Sequence, residues 1–119
     1  MGLQRERPPL LVRADASVTS GTGHVMRCLA LVEAWHRRGA EVHYLTCQPS
    51  PTLSQRIESA GAQLSALATA YPSPDDAEVT LSTLAQLARC HETLPWLVVD
   101  GYHFDAAYLN HFPARFLNA

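Results

Sequence analysis

His24 is preceded by Gly21-Thr22-Gly23, and a loop of small and hydroxyl-bearing residues, Ala16 to Thr22, separates it from the apolar run Leu10-Leu11-Val12. An imidazole exchanges protons near neutral pH. A loop without bulky side chains that opens into a helix offers an anion backbone N–H groups and the positive end of the helix dipole. Arg13, Asp15 and Ser17 lie on the way into this loop, and Asp100 and Tyr102 come after a second apolar run, Trp96-Leu97-Val98-Val99. His24 is therefore the candidate for proton transfer. Arg13, Asp15, Ser17, Gly21, Thr22, Gly23, Asp100 and Tyr102 are the candidates for ligand contact.

Several of these residues also have a purely structural reading. A carboxylate at a strand end, as at Asp15 and Asp100, either caps the following loop by accepting backbone N–H bonds or faces a ligand. Arg13 and Arg27 either hold a carboxylate or phosphate or, for Arg27 in a first helical turn, are solvated. Cys28 reads as a small core residue, and Trp35 and Trp96 as core anchors. His36, His43, His91, His103 and His111 are scattered without the spacing of a ligand set, so no metal is expected.

The elements that must position these residues are set by periodicity. Leu10 to Ala14 is an apolar run without alternation, as a strand covered on both faces requires. The helix after the glycines carries Val25, Cys28, Leu29, Val32 and Trp35 on one face, pairs Glu33 with Arg37 at i,i+4, and stops at Gly39. Glu41 to Cys47 reads as the next strand. Ser50-Pro51 caps and starts a second helix with Leu53, Ile57 and Ala60 buried, ending at Gly61. Gln63 to Leu67 is a weaker, edge-like strand. After the Pro72 to Asp76 loop a third helix buries Val79, Leu81, Leu84, Leu87 and Ala88 as far as Cys90. Trp96 to Asp100 is the clearest strand, and Asp105 to about His111 is expected to form one more short helix before Pro113.

This β-α-β-α-β-α-β order predicts an α/β fold, a Rossmann-like open parallel sheet of order 3-2-1-4 with helices on both faces. Ligands in such sheets bind beyond the carboxyl ends of the strands where the order reverses, here between the first and fourth strands. The topology thus directs Asp15, His24, Asp100 and Tyr102 toward one crevice.

At 119 residues, 47% hydrophobic and 17% charged, the chain has the composition of one globular domain. Residues 1–9 read as a flexible tail and 10–119 as the domain. A net charge of −2 without a Lys/Arg block argues against nucleic-acid and membrane-surface partners. The odd, widely spaced cysteines Cys28, Cys47 and Cys90 suggest reduced thiols, and no stretch reads as a signal peptide or a span, so a cytoplasmic protein is expected.

The glycine loop is not a dinucleotide fingerprint, because Met26 occupies the third glycine position and no acidic residue ends the second strand. A P-loop and a nucleophile elbow are also missing. No cofactor is expected.

Arg13-Ala14-Asp15-Ala16-Ser17, Gly21-Thr22-Gly23-His24-Val25-Met26-Arg27-Cys28-Leu29-Ala30-Leu31 and Val98-Val99-Asp100-Gly101-Tyr102 resemble the N-terminal domain of the PseG/SpsG family. These are UDP-2,4-diacetamido-2,4,6-trideoxy-β-L-altropyranose hydrolases of pseudaminic acid biosynthesis, together with relatives in spore-coat polysaccharide synthesis. The likeness runs from about Leu11 to Leu109. It implies that His24 activates water for attack at the anomeric carbon of a UDP-activated amino sugar, with UDP leaving, no metal required, and Tyr102 lining the sugar site. A looser resemblance extends to MurG-like glycosyltransferases of the GT-B fold.

Gly101 departs from relatives that carry histidine there. The family is two-domained, and its second domain supplies most of the uridine and diphosphate binding. The resemblance therefore implies a truncated N-terminal half of a GT-B fold, an incomplete Rossmann-like domain whose C-terminal domain is missing or separately encoded. The alternatives are a GT-B transferase fragment, whose loop would face an acceptor in place of water, and a non-catalytic binding fragment.

Overall fold

The computed structural model describes residues 7–15, 23–47, 49–67, 76–90 and 94–100, of which 23–25 and 100 are described by backbone alone. Its elements are β1 (Leu10–Ala14), α1 (Gly23–Arg37), β2 (Val42–Cys47), α2 (Pro51–Ser59), β3 (Gln63–Leu67), α3 (Asp76–Cys90) and β4 (Trp96–Asp100). The strands form one parallel sheet of order β3-β2-β1-β4, so the fold is the expected Rossmann-like α/β sheet. The short helix expected over 105–111 and residues 1–6 of the tail expected over 1–9 lie outside the described residues, while the Pro8 and Pro9 carbonyls accept from the Trp35 indole and the Trp96 N–H.

The order of the strands dictates the layering. Crossovers between parallel strands are right-handed, so a helix packs on one face when the chain steps one way across the sheet and on the other face when it steps back. From β1 through β2 to β3 the direction is constant. Accordingly Cys28, Leu29 and Val32 of α1 and Ile57 of α2 share one core with Leu10, Val12, Ala14, Val42 and Tyr44. From β3 the chain returns past β1 to reach β4, and Ala77, Leu84 and Leu87 of α3 form a second core with Leu11, Leu45 and Leu97. β1 faces both cores and is buried along its whole length. β3 is an edge strand with exposed and half-buried residues only, as its small-residue composition suggests.

Two helices on the first face end alike. In α1 the Gly39 N–H donates to the His36 carbonyl at 2.9 Å and the Ala40 N–H to the Trp35 carbonyl at 3.3 Å. In α2 the Gly61 N–H donates to Glu58 at 3.0 Å and the Ala62 N–H to Ile57 at 3.4 Å. Both are Schellman turns, which need a left-handed residue just past the helix, and Gly39 and Gly61 have φ of 83° and 112°. Ala40 and Ala62, each one residue on, are buried and lead straight into the next strand. At the other end of α2, the Ser50 hydroxyl accepts the Leu53 N–H at 3.1 Å ahead of Pro51, the cap its sequence signals.

Two packing expectations are corrected. Trp96 is 41% exposed and not a core anchor. It opens β4 at the side of the described sheet and meets Trp35 edge to face at 6.2 Å, while Trp35 is half-buried and donates its indole N–H to the Pro8 carbonyl. In α3 the buried residues are Asp76, Ala77, Thr80, Leu84 and Leu87, and Val79 is 37% exposed. The first turn of α3 is turned inward by a polar contact, which the apolar stripe does not announce.

The glycine turns yield a test. A Cβ at Gly39 would meet nothing within 4 Å, whereas at Gly61 it would fall 2.3 Å from Cγ of His36. Gly39→Ala should therefore cost only the left-handed penalty of about 1–2 kcal/mol. Gly61→Ala should cost more in urea denaturation, and adding His36→Ala should bring it back toward the Gly39→Ala value.

Candidate functional site

The crevice expected from the strand order lies where β1 and β4 run side by side, and their pairing continues to the last residue of each, Ala14 opposite Asp100. Asp15 comes directly after β1, and Gly23 and His24 form the first turn of α1. The backbone therefore gathers the ends of both apolar runs at the carboxyl rim of the sheet. Ser17, Gly21, Thr22 and Tyr102 lie outside the described residues, and for Gly23, His24 and Asp100 the backbone alone is placed.

Arg13 and Asp15 are described in full, and they do not stand free at the rim. Arg13 is completely buried although its side chain is charged. A guanidinium removed from water has to be paired, and here one edge of the fork meets Asp76, with Nε 3.0 Å from Oδ1 and Nη2 bonded to Oδ2. The second edge meets Asp15, Nη1 lying 2.6 Å from Oδ1 and Nη2 3.1 Å from Oδ2. Burial lowers the affinity of this group for its proton, but hydrogen bonds to Asp76 and then Asp15, with their charges, outweigh it and hold the pKa above the ordinary arginine value. Arg13 is thus a member of the scaffold beneath the rim.

Asp15 is held from two sides. Besides its fork with Arg13, its Oδ1 accepts the Cys47 backbone N–H at 2.7 Å and the Thr46 hydroxyl at 3.4 Å. The carboxylate thereby ties the exit of β1 to the end of β2. Asp76 is the partner that sequence reasoning missed, since it reads as an acidic residue in the first turn of a helix. The available signal was Arg13 itself: a charge inside an otherwise apolar strand demands a carboxylate at the same end of the sheet. Thr80 continues the brace, donating its hydroxyl to the Asp76 carbonyl at 3.0 Å.

Of the remaining candidates, Cys28 is buried in the first core as expected, and Arg27 is exposed. The Cys47 thiol is held above its ordinary pKa by desolvation and by the charge of Asp15, against the weaker pull of Arg13, and is therefore protonated rather than poised as a nucleophile. Among the described residues no group of His, Cys, Asp and Glu is arranged to hold a metal ion. No described helix is long and apolar enough to cross a membrane. A groove of about 430 Å³ lies between α1 and α2, lined by Met26, Glu33, Gln55 and Arg56 among others.

The arrangement defines an open parallel α/β sheet whose order reverses between β1 and β4, with a charge brace at the carboxyl end of β1. Compared with models of known families and with curated proteins, the sequence finds no match.

Two measurements test the brace. Arg13→Ala leaves the buried Asp76 carboxylate and the half-buried Asp15 carboxylate without their shared cation and should lower stability by about 3–5 kcal/mol in chemical denaturation. For Cys47, a raised native pKa means that folding is favoured while the thiol is protonated and that this contribution fades as pH rises. Peptide-resolved alkylation of Cys47 should accordingly reach half its maximal rate at higher pH in the native chain than in the urea-unfolded chain.

Proposed function

We propose that this chain is the N-terminal domain of a sugar-nucleotide hydrolase of the PseG type, with His24 as the base that activates water. The observation that supports the reading best is the pairing of β1 with β4 as far as Ala14 and Asp100, because it sets the two stretches of the family resemblance side by side. The switch point of such a sheet is also where α/β proteins bind their ligands.

In this reading the substrate is UDP-2,4-diacetamido-2,4,6-trideoxy-β-L-altrose. Neutral His24 accepts a proton from water as the water oxygen bonds to the anomeric carbon. The bond from that carbon to the diphosphate oxygen breaks, and UDP departs with the electron pair. A base with a pKa near 7 suits proton abstraction at neutral pH, and the N-terminus of α1 favours negative charge developing nearby. The residues in reach of the sugar would be Asp100, Tyr102 and the loop Ser17 to Gly23. The uridine diphosphate is held by a second α/β domain, and the reaction belongs in the cytoplasm, where nucleotide sugars are made. No metal or cofactor enters the reaction.

The test is UDP release from the altrose nucleotide by this chain, alone and mixed with the C-terminal domain of a hydrolase of that family. His24→Ala should lower the rate of the mixture by about 100-fold or more. Equal rates for the two forms would remove His24 from the chemistry, and release that requires an added sugar acceptor would mark a glycosyltransferase instead.

A further inference from the structure

The brace at the carboxyl rim joins β1, β2 and α3 through polar contacts. Asp76 is 2% exposed and begins α3, whose Ala77, Leu84 and Leu87 are locked into the second core. Its carboxylate occupies the edge of the Arg13 guanidinium formed by Nε and Nη2. With that edge held, the planar group cannot swing, and its other edge presents two parallel N–H donors to Asp15. Asp15 in turn keeps the Cys47 amide at 2.7 Å. Rigid contacts thus run from the core of α3 through Arg13 to the residue at which the chain leaves β1.

Asp15 is also the residue from which the chain sets out toward His24. Residues 16–22 connect it to Gly23, and His24 comes next. α1 is anchored independently by Cys28, Leu29 and Val32. The exit of β1 is thus fixed by the charge brace and α1 by the first core.

We propose that Asp76 is a positioning residue for the crevice: acting through Arg13, it holds the Asp15 carboxylate on the Cys47 amide and so sets the exit of β1 from which the chain runs to His24. A buried ion cluster is a poor source of stability, since apolar residues of similar volume serve as well or better. A doubly forked arginine supplies orientation, which is what a catalytic loop requires. The kinetic part of this inference rests on the hydrolase reading above, and its structural part does not.

The experiment uses the ¹⁵N-labelled chain and the reconstituted hydrolysis assay together. Asp76→Asn should shift the backbone amide resonances of Cys47 and His24, while Glu78→Gln, which removes an exposed charge from the same helical turn, should leave both in place. UDP release per folded chain should fall about 10- to 100-fold with KM changed by no more than about twofold, and the same substitution should have no further effect when His24 is already alanine. Asp76→Glu keeps the buried charge paired; it should recover part of the rate, and it reads out the same amides should Asp76→Asn not fold. Amide changes confined to the first turn of α3, or an equal loss with and without His24, would overturn the positioning role. If His24→Ala alone releases UDP as fast as the wild type, the hydrolase reading fails, and the amide shifts still decide whether Asp76 governs the exit of β1.

Discussion

A full positive charge buried inside the central strand is the constraint to which the rest of this fold answers. Arg13 sits between Val12 and Ala14 with none of its surface in water. Leaving such a group unpaired in the interior costs several kcal/mol, so the molecule must bring carboxylates to it. It brings two, one from the residue just past β1 and one from the start of α3, some sixty positions along the chain. The start of α3, the end of β2 and the exit of β1 are consequently fixed relative to one another. Apolar packing alone would leave that rim less defined, because hydrophobic contact rewards burial without specifying direction.

This division of labour explains which parts of the molecule could be read from the amino-acid sequence. The strand order was legible because β1 and β4 are mostly apolar runs, β2 and the weaker β3 each follow a helix stop at a glycine, and right-handed crossovers leave few ways to assemble them. Ser50-Pro51, Gly39 and Gly61 were legible because local backbone chemistry decides them. The orientation of α3 was not, since Val79 belongs to its apolar stripe and yet the first turn answers to Arg13 and buries Asp76 and Thr80 instead. The exposure of Trp96 was hidden for a related reason: a large apolar side chain says that it wants cover but not which side of the sheet its strand will occupy.

The candidate site shows the same split. The convergence of Asp15, His24 and Asp100 on one end of the sheet is a matter of topology, and the order of the elements is enough to state it. The contacts of Asp15 are not open to that reasoning, because its Cys47 partner arrives from another strand and no spacing in the sequence announces it. Arg13 looked like an anion ligand for the reason that makes it a brace: an arginine in an apolar run must have an anionic partner, and the sequence does not say whether that partner is protein or substrate.

The tryptophan pair at the opposite end of the sheet carries a spectroscopic consequence. Trp35 and Trp96 are the only tryptophans in the chain, and their rings lie 6.2 Å apart at 64°. Strands advance about 3.3 Å per residue, so β4 separates this pair from the carboxyl rim by about 13 Å. Indole emission and the near-ultraviolet dichroism of the coupled rings therefore report on the amino-terminal end of the sheet, where Pro8 is strapped to Trp35. That chromophore gives the molecule an optical report on folding at the end of the sheet away from the charge brace.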